Sequence, residues 1–324
     1  MAINIPTNFN VEDSFFLTGY AERISQNIDI LGARSNGTMM VTSQVYQGDE
    51  AHGDFFPRIS GSVTRRDPNS TAVAATVNLT EARESRARLS RKFGPFDTTY
   101  SVERARTFSM EDIELELGRK MAEDQMADQV NTAIASAVGA LSNTGTIVNV
   151  SGTSNTLTHA RLVEAMRLMG DQMDAIRAWV MHSSAYYDLV EHAIDPAATV
   201  DEVGAATIYG GGPGTFNKPV IVTDSDNLLI GGDPDKLIMG LTAGAITVEN
   251  QGVPKYILDP ITGLENLVIR AQGEWDYFVK VMGHAYDLSA GGANPTDATL
   301  AAAANWNRTL TEVKNGPGVI LRVD

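Results

Sequence analysis

The feature that most constrains this chain is one unbroken helical run from Met110 to Leu141. Apolar residues recur at Met110, Ile113, Leu117 and Met121, then at Ala127, Val130, Ile134, Val138 and Leu141. Steps of three and four keep one helix face apolar. Ser109 is a candidate N-cap with Asp112 three places on. Glu111, Asp112 and Glu114 fill the first turn, where the helix dipole favours anions. The turn residues Ser142, Asn143, Thr144 and Gly145 end the run. At 1.5 Å per residue the rod is roughly 48 Å long, which is long for a globular helix. Its other face is acidic, with Glu111, Asp112, Glu114, Glu116, Glu123, Asp124 and Asp128, and reads most simply as a solvated face.

The segments around this helix differ in kind. Residues 1–37 read as an irregular arm holding a short amphipathic piece, closed by the turn signal Ser35-Asn36-Gly37. Residues 38–46, 72–79 and 86–93 are β-leaning and are separated by Gly, Asp and Pro clusters. They suggest an extended two- or three-stranded excursion with little core of its own, and such an element rests on a partner. Beyond the helix the pattern predicts a strand at 146–150, a helix at 159–173, a strand at 175–181 and a helix at 186–192. That alternation is an α/β signature. A loop follows at 195–217, with Gly210, Gly211, Gly212 and Gly214. Further strands are predicted at 218–224, 227–230, 236–239, 244–248, 267–270 and 275–282. The tail, 294–324, holds a short Ala-rich helix and a last strand at 318–323.

Charge adds a second constraint. The 324 residues carry 25 Lys plus Arg against 40 Asp plus Glu, a formal net charge of -15. That argues against a dedicated nucleic-acid reader, which needs a basic face. The distribution is uneven. From Arg58 to Arg106 the segment is +5, and the remainder is -20. With 43% apolar residues the chain can bury an ordinary core. It has no cysteine, which removes disulfides, thiolate metal sites and cysteine nucleophiles. No basic and apolar leader opens the sequence at Met1, and no stretch nears about 18 apolar residues, so neither a signal peptide nor a membrane span is expected.

Signatures of chemistry are few in the sequence. The glycine-rich loop at 210–214 lacks the Gly-Lys-Ser/Thr of a phosphate loop and leads towards a strand rather than a helix. The histidines His52, His159, His182, His192 and His284 show no metal-ligand spacing. No nucleophile elbow occurs. Asp224-Ser225-Asp226-Asn227 lacks the glycine and distal glutamate of a calcium loop and reads as a turn. No catalytic residue, cofactor or metal is therefore assigned.

The order of these parts resembles a tailed-phage major capsid protein of the Hong Kong 97 fold, an α+β architecture. Residues 1–37 are similar to the N-arm and 38–107 to the extended β E-loop. Residues 108–157 resemble the P-domain with its spine helix, 158–248 the A-domain, 249–293 the P-domain strands and 294–324 a C-terminal tail. The stretches that carry the likeness are the helix from Met110 to Leu141, residues 179–189 and 218–224, the strand at 236–246 and the tail around Asn305 and Trp306. The resemblance implies a structural, non-enzymatic protein that self-assembles as hexamers and pentamers into an icosahedral shell around phage double-stranded DNA. The shell would form in the bacterial host cytoplasm and end as the virion capsid.

The implied partners are further copies of the chain, a separate scaffolding protein, a portal, a cement or decoration protein, and packaged DNA held without sequence-specific contact; no membrane is implied. A separate scaffold follows because no long coiled-coil segment precedes the arm. Lys92 is the one lysine in the E-loop, away from its tip, so lysine–asparagine crosslinking is not expected, and neither is cleavage of this segment by a maturation protease. Because the E-loop in this family extends over a neighbour, Arg65, Arg66, Arg83, Arg86, Arg88 and Arg91 are expected to pair with acidic faces of neighbouring copies, including Glu111, Glu114 and Glu116. Gly210, Gly211, Gly212 and Gly214 would form the A-domain tip near the five- and six-fold axes. An encapsulin-type compartment shares the fold and is the alternative, and an α/β enzyme is the weaker rival.

Overall fold

The computed structural model describes residues 9–55, 63, 65–73, 81–99, 110–142, 145–150, 156–194, 215–216, 218–230, 235–263, 265–310 and 312–324. Two sheets lie along one long helix. The first contains β1 (Met39–Ser43), β2 (Glu50–Phe55), β3 (Ala82–Thr99), β8 (Ile246–Asn250), β9 (Lys255–Ile261) and β10 (Val268–Val281). Its order is β1-β8-β10-β3-β2. β9 continues beyond β8 along the same edge of β10, pairing Val268–Glu274 while β8 pairs Tyr277–Val281. The second sheet runs β4 (Ile147–Asn149), β13 (Gly318–Val323), β7 (Lys236–Thr242), β5 (Ile176–His182), β6 (Val220–Thr223), and a small ribbon pairs β11 (His284–Tyr286) with β12 (Trp306–Arg308).

The long helix, α2, spans Met110–Leu141 as its periodicity predicts. Its two halves are buried differently. Along the first half the exposed positions Asp112, Glu116, Lys120, Asp124 and Ala127 form a stripe. From Thr132 to Leu141 every residue is buried, because the helix passes under the second sheet. There Ile134, Val138 and Leu141 share a core with Val180, Met239, Leu241 and Ile320. Fully burying each such aliphatic side chain is worth about 1.5–3 kcal/mol. The far face of that sheet carries α3 (His159–Arg167) and α4 (Ser183–Ile194), which close a second core around Trp179, Leu162, Met169, Leu189 and Leu321.

Small residues let α2 be approached on two sides. A Cβ on Gly139 would lie 2.0 Å from the Leu300 carbonyl oxygen and 2.7 Å from Trp306 Nε1, so only glycine admits the C-terminal segment here. Near the other end, Gly118 faces α1 (Phe9–Arg34), and a Cβ on it would lie 2.3 Å from the Phe16 carbonyl oxygen. Gly19 meets Leu115 in the same way. This close crossing buries Phe16 and Tyr20, with Ile24 and Leu31 packed behind them at helical spacing. Tyr20 donates to Gln125 at 2.7 Å and Arg23 pairs with Glu123 at 2.7 Å.

Several elements depart from the sequence expectation. The N-terminal piece is a 26-residue helix rather than a short one, and Asn36 and Gly37 at positive φ end it. β1 and β3 are not part of a free excursion: β1 pairs with β8 and β3 pairs with β10 over most of its length. The two strands predicted at 267–270 and 275–282 are one. Gly273 between them marks a close approach to Met121, not a break. Residues 227–230 do not form a strand; Asp226–Leu228 is a 3-10 turn tied to α2 through Ser225, Asn227 and Asn131. The helix predicted at 159–173 stops at Arg167, and Gly170 at positive φ lies just beyond it. The last strand, β13, is an inner strand of the second sheet rather than an appendage.

Candidate functional site

Each arginine of β3 has a carboxylate partner within its own subunit. Arg86 and Glu249 pair at 2.9 Å, with only 5% and 7% of their side chains exposed. The contact is a close charge pair rather than an aligned hydrogen bond. Arg86 also donates to the Tyr46 hydroxyl at 2.7 Å, and its guanidinium lies 5.0 Å from the Tyr46 ring centre. Burial pushes the Glu249 carboxyl up, and Arg86 and Lys280 only partly pull it back. Beside it, Glu84 pairs with Lys280 at 2.8 Å and accepts the Gly283 N–H at 2.6 Å.

One turn of α2 organises a second nest. Arg91 reaches Asp128 at 3.2 Å and Asp297 at 3.3 Å. The Tyr277 hydroxyl donates to Asp128 at 2.7 Å, and burial together with that carboxylate pushes its pKa up. Asn131 and Thr132 both donate to Asp297 at 3.0 Å. Asn131 also meets Ser225, so residues 128–132 tie the helix to the first sheet, the C-terminal segment and the second sheet at one level.

Arg88 pairs with Asp276; burial alone would raise that carboxyl, but hydrogen bonds from Arg88 and Ser90 outweigh it and hold it low. Arg83 pairs with Asp54 across the β2–β3 ladder at 3.0 Å. Arg83, Arg86, Arg88 and Arg91, expected to meet acidic faces of neighbours, thus each have a carboxylate partner within their own chain as well, and of the four Arg86 is buried while Arg83 stays exposed. Glu114 is corrected, since it is buried rather than on the solvated face. Arg65 and Arg66 are exposed, and neither joins an ion pair among the described residues; Glu116 is exposed on α2. The Glu111 side chain and Gly210, Gly211, Gly212 and Gly214 lie outside the described residues.

Sequence reasoning missed Asp128, Glu249, Asp276 and Asp297 as partners. A signal was present in β3. Ala87 and Leu89 alternate with Arg86 and Arg88, and both are buried. A strand with one apolar face belongs to a packed sheet.

Among the described residues no three His, Asp or Glu side chains are grouped to hold a metal. No described helix is long and apolar enough to cross a membrane. The β2–β3 connection exposes Val63 at 92% and Val73 at 99%, and β9 exposes Ile257 at 61%.

A protein-family profile described as Gp13-like, major capsid protein 13-like, matches residues 8–320. No curated protein sequence matches the chain. Among solved structures the chain is similar to the capsid of a native GTA particle, with TM-score 0.56, 10% identity and 87% of each chain covered. It is similar to a structure from Mycobacterium phage Adephagia, with TM-score 0.54, 10% identity and 88% of each chain covered. The capsid asymmetric unit of cyanophage Pam1 gives TM-score 0.52 at 13% identity, covering 87% of this chain and 88% of that one. The shared fold is the Hong Kong 97 type.

Proposed function

The chain belongs to the major capsid protein 13-like family, and from that premise we propose that it assembles as hexamers and pentamers into the icosahedral shell enclosing phage double-stranded DNA. It is a structural shell protein and its partners include further copies of itself. The match over residues 8–320 carries the reading, because it takes in both sheets and the helix between them. The β2–β3 connection would lie over a neighbouring subunit, with Arg65 and Arg66 against exposed acids such as Glu116. Residues 210–214 would sit at the axes, where glycine lets one sequence fit two ring sizes. Scaffolding, portal and decoration proteins complete the set of partners, and assembly takes place in the host cytoplasm. Negative-stain microscopy of the purified chain with its scaffolding protein tests this. Closed shells are the expected outcome, and a small soluble oligomer under all conditions would overturn it.

A further inference from the structure

We propose that β9 is a two-fold self-pairing edge: the strand segment 255–259 of one subunit pairs antiparallel with the same segment of a second copy, centred on Ile257. The inference rests on the reading of the chain as a self-assembling shell subunit, and it names one contact of that shell.

Three observations carry it. First, β9 pairs only with β10 among the described strands, so its other side is a sheet edge. Such edges template strand pairing unless they are blocked. Here the blocks are placed symmetrically. Pro254 and Pro260 lie three residues to either side of Ile257. Proline cannot donate to a ladder, so it stands in an edge strand with its nitrogen turned away from the partner strand. The two prolines thus bound a five-residue window. An antiparallel pair about Ile257 would place Pro254 of one copy opposite Pro260 of the other, and the pairing would end where the donors end.

Second, the outward face beside this edge carries two rows of charge with inverted signs. Arg270 lies opposite Asp259 on β9 and opposite Asp97 on β3. Glu274 lies opposite Lys255 on β9 and opposite Lys92 on β3. Read across three strands, one row is minus, plus, minus and the other is plus, minus, plus. All six residues are exposed. A two-fold axis normal to the sheet at Ile257 sets Asp259 against Lys255 of the second copy, and Lys255 against its Asp259. Both rows then alternate in sign without interruption across six strands. Like charges directly opposite one another are destabilising, whereas opposite charges stabilise. The register chosen by the prolines is therefore also the register chosen by charge.

Third, the centre is apolar and uncovered. Ile257 is 61% exposed between the two charge rows. Across the two-fold it meets its own counterpart, a self-complementary contact of the kind an isologous interface requires.

The test uses the absence of cysteine from the chain. In Ile257→Cys the only thiols are those two-fold mates. Directly opposite residues of an antiparallel non-hydrogen-bonded pair have Cα atoms about 4.5 Å apart, within disulfide reach. Shells of the full chain are oxidised with diamide, which takes up the two electrons and two protons released as the bond forms. Denaturing gels should then show covalent dimers and no larger ladder. Lys92→Cys, on the same face but away from the axis, should stay monomeric. Shells that form normally and yield no Ile257→Cys dimer overturn the self-pairing while leaving the shell reading intact; wild-type chain that makes no shell overturns the reading beneath it. Should Ile257→Cys misfold, two surface variants decide instead, since Lys255 of one copy lies opposite Asp259 of the other. Shells co-assembled from Lys255→Cys and Asp259→Cys chains should give covalent dimers on oxidation, and shells of either variant alone should give none. Mixed shells without dimers refute the register.

Discussion

Arg86→Met is the most informative single change in this protein, because two readings of Arg86 give opposite outcomes. In the structure its charge lies 2.9 Å from Glu249 with both side chains almost wholly buried. At an effective dielectric of 20 that separation corresponds to a pair attraction of roughly 6 kcal/mol. Removing one partner of a buried pair costs about 3–5 kcal/mol, because the other charge stays in the interior. With Lys280 as the remaining nearby cation, Glu249 can then take up a proton, a form that burial already favours. Lowering the pH should therefore return part of the loss, by at most about 1.4 kcal/mol per pH unit for one proton. The sign follows from a folded-state pKa raised above the unfolded one: the penalty is present at high pH and fades as pH falls through the folded value.

The assay is urea unfolding of dilute, unassembled subunit followed by tryptophan fluorescence. Arg86→Met should lower stability by about 3–5 kcal/mol at neutral pH, and Arg86→Met with Glu249→Leu should recover most of it. An Arg86→Met subunit that unfolds at the wild-type midpoint but fails to form shells would refute the reasoning. It would show that the arginine acts between subunits.

Gly118→Ala should push α1 off α2, since the new methyl lies 2.3 Å from the Phe16 carbonyl oxygen; overpacking of this sort costs about 1–3 kcal/mol. Hydrogen exchange should then quicken across residues 15–34 and leave β10 protected, and unchanged protection in α1 would contradict the close crossing. Burial holds the His284 imidazole below its ordinary pKa. The unfolded chain therefore gains that proton first, and stability should fall as pH drops below about 6.5, with a slope of at most about 1.4 kcal/mol per pH unit. His284→Asn should flatten that slope, and an unchanged slope would assign it to other groups.

Much of the fold was legible because its signals are local. The helix from Met110 to Leu141 is set by spacing within its own sequence, and β5 by one apolar run. What stayed hidden depends on partners distant in sequence. Nothing near Arg86 points to Glu249, 163 positions away, and nothing near Arg91 points to Asp297, which lies 206 positions on. The basic excess of residues 58–106 was visible, but its destination was not. The single strand β10, expected as two, is continuous through Gly273, where the lack of a side chain makes room for Met121, a residue 152 positions earlier. The acidic face of α2 was half right: Glu116 is exposed, whereas Glu114 is buried.

These placements also shift where assembly energy should come from. With four of the six candidate arginines paired in-chain, the β2–β3 connection presents Arg65 and Arg66 beside the exposed Val63 and Val73. Exposed ion pairs contribute about 0–1 kcal/mol each, whereas covering an exposed valine contributes about 1.5–3 kcal/mol. If this connection docks on a neighbour, apolar contact supplies most of the attraction, and the arginines set approach and orientation. Val63→Ser with Val73→Ser should therefore raise the critical concentration for assembly more than Arg65→Ala with Arg66→Ala. The arginine pair should instead reduce the salt dependence of the assembly rate, because screening acts on exposed charge. Light scattering against subunit concentration at two ionic strengths measures both quantities. A valine pair without effect on the critical concentration, beside an arginine pair that abolishes assembly at low salt, would return the contact to charge.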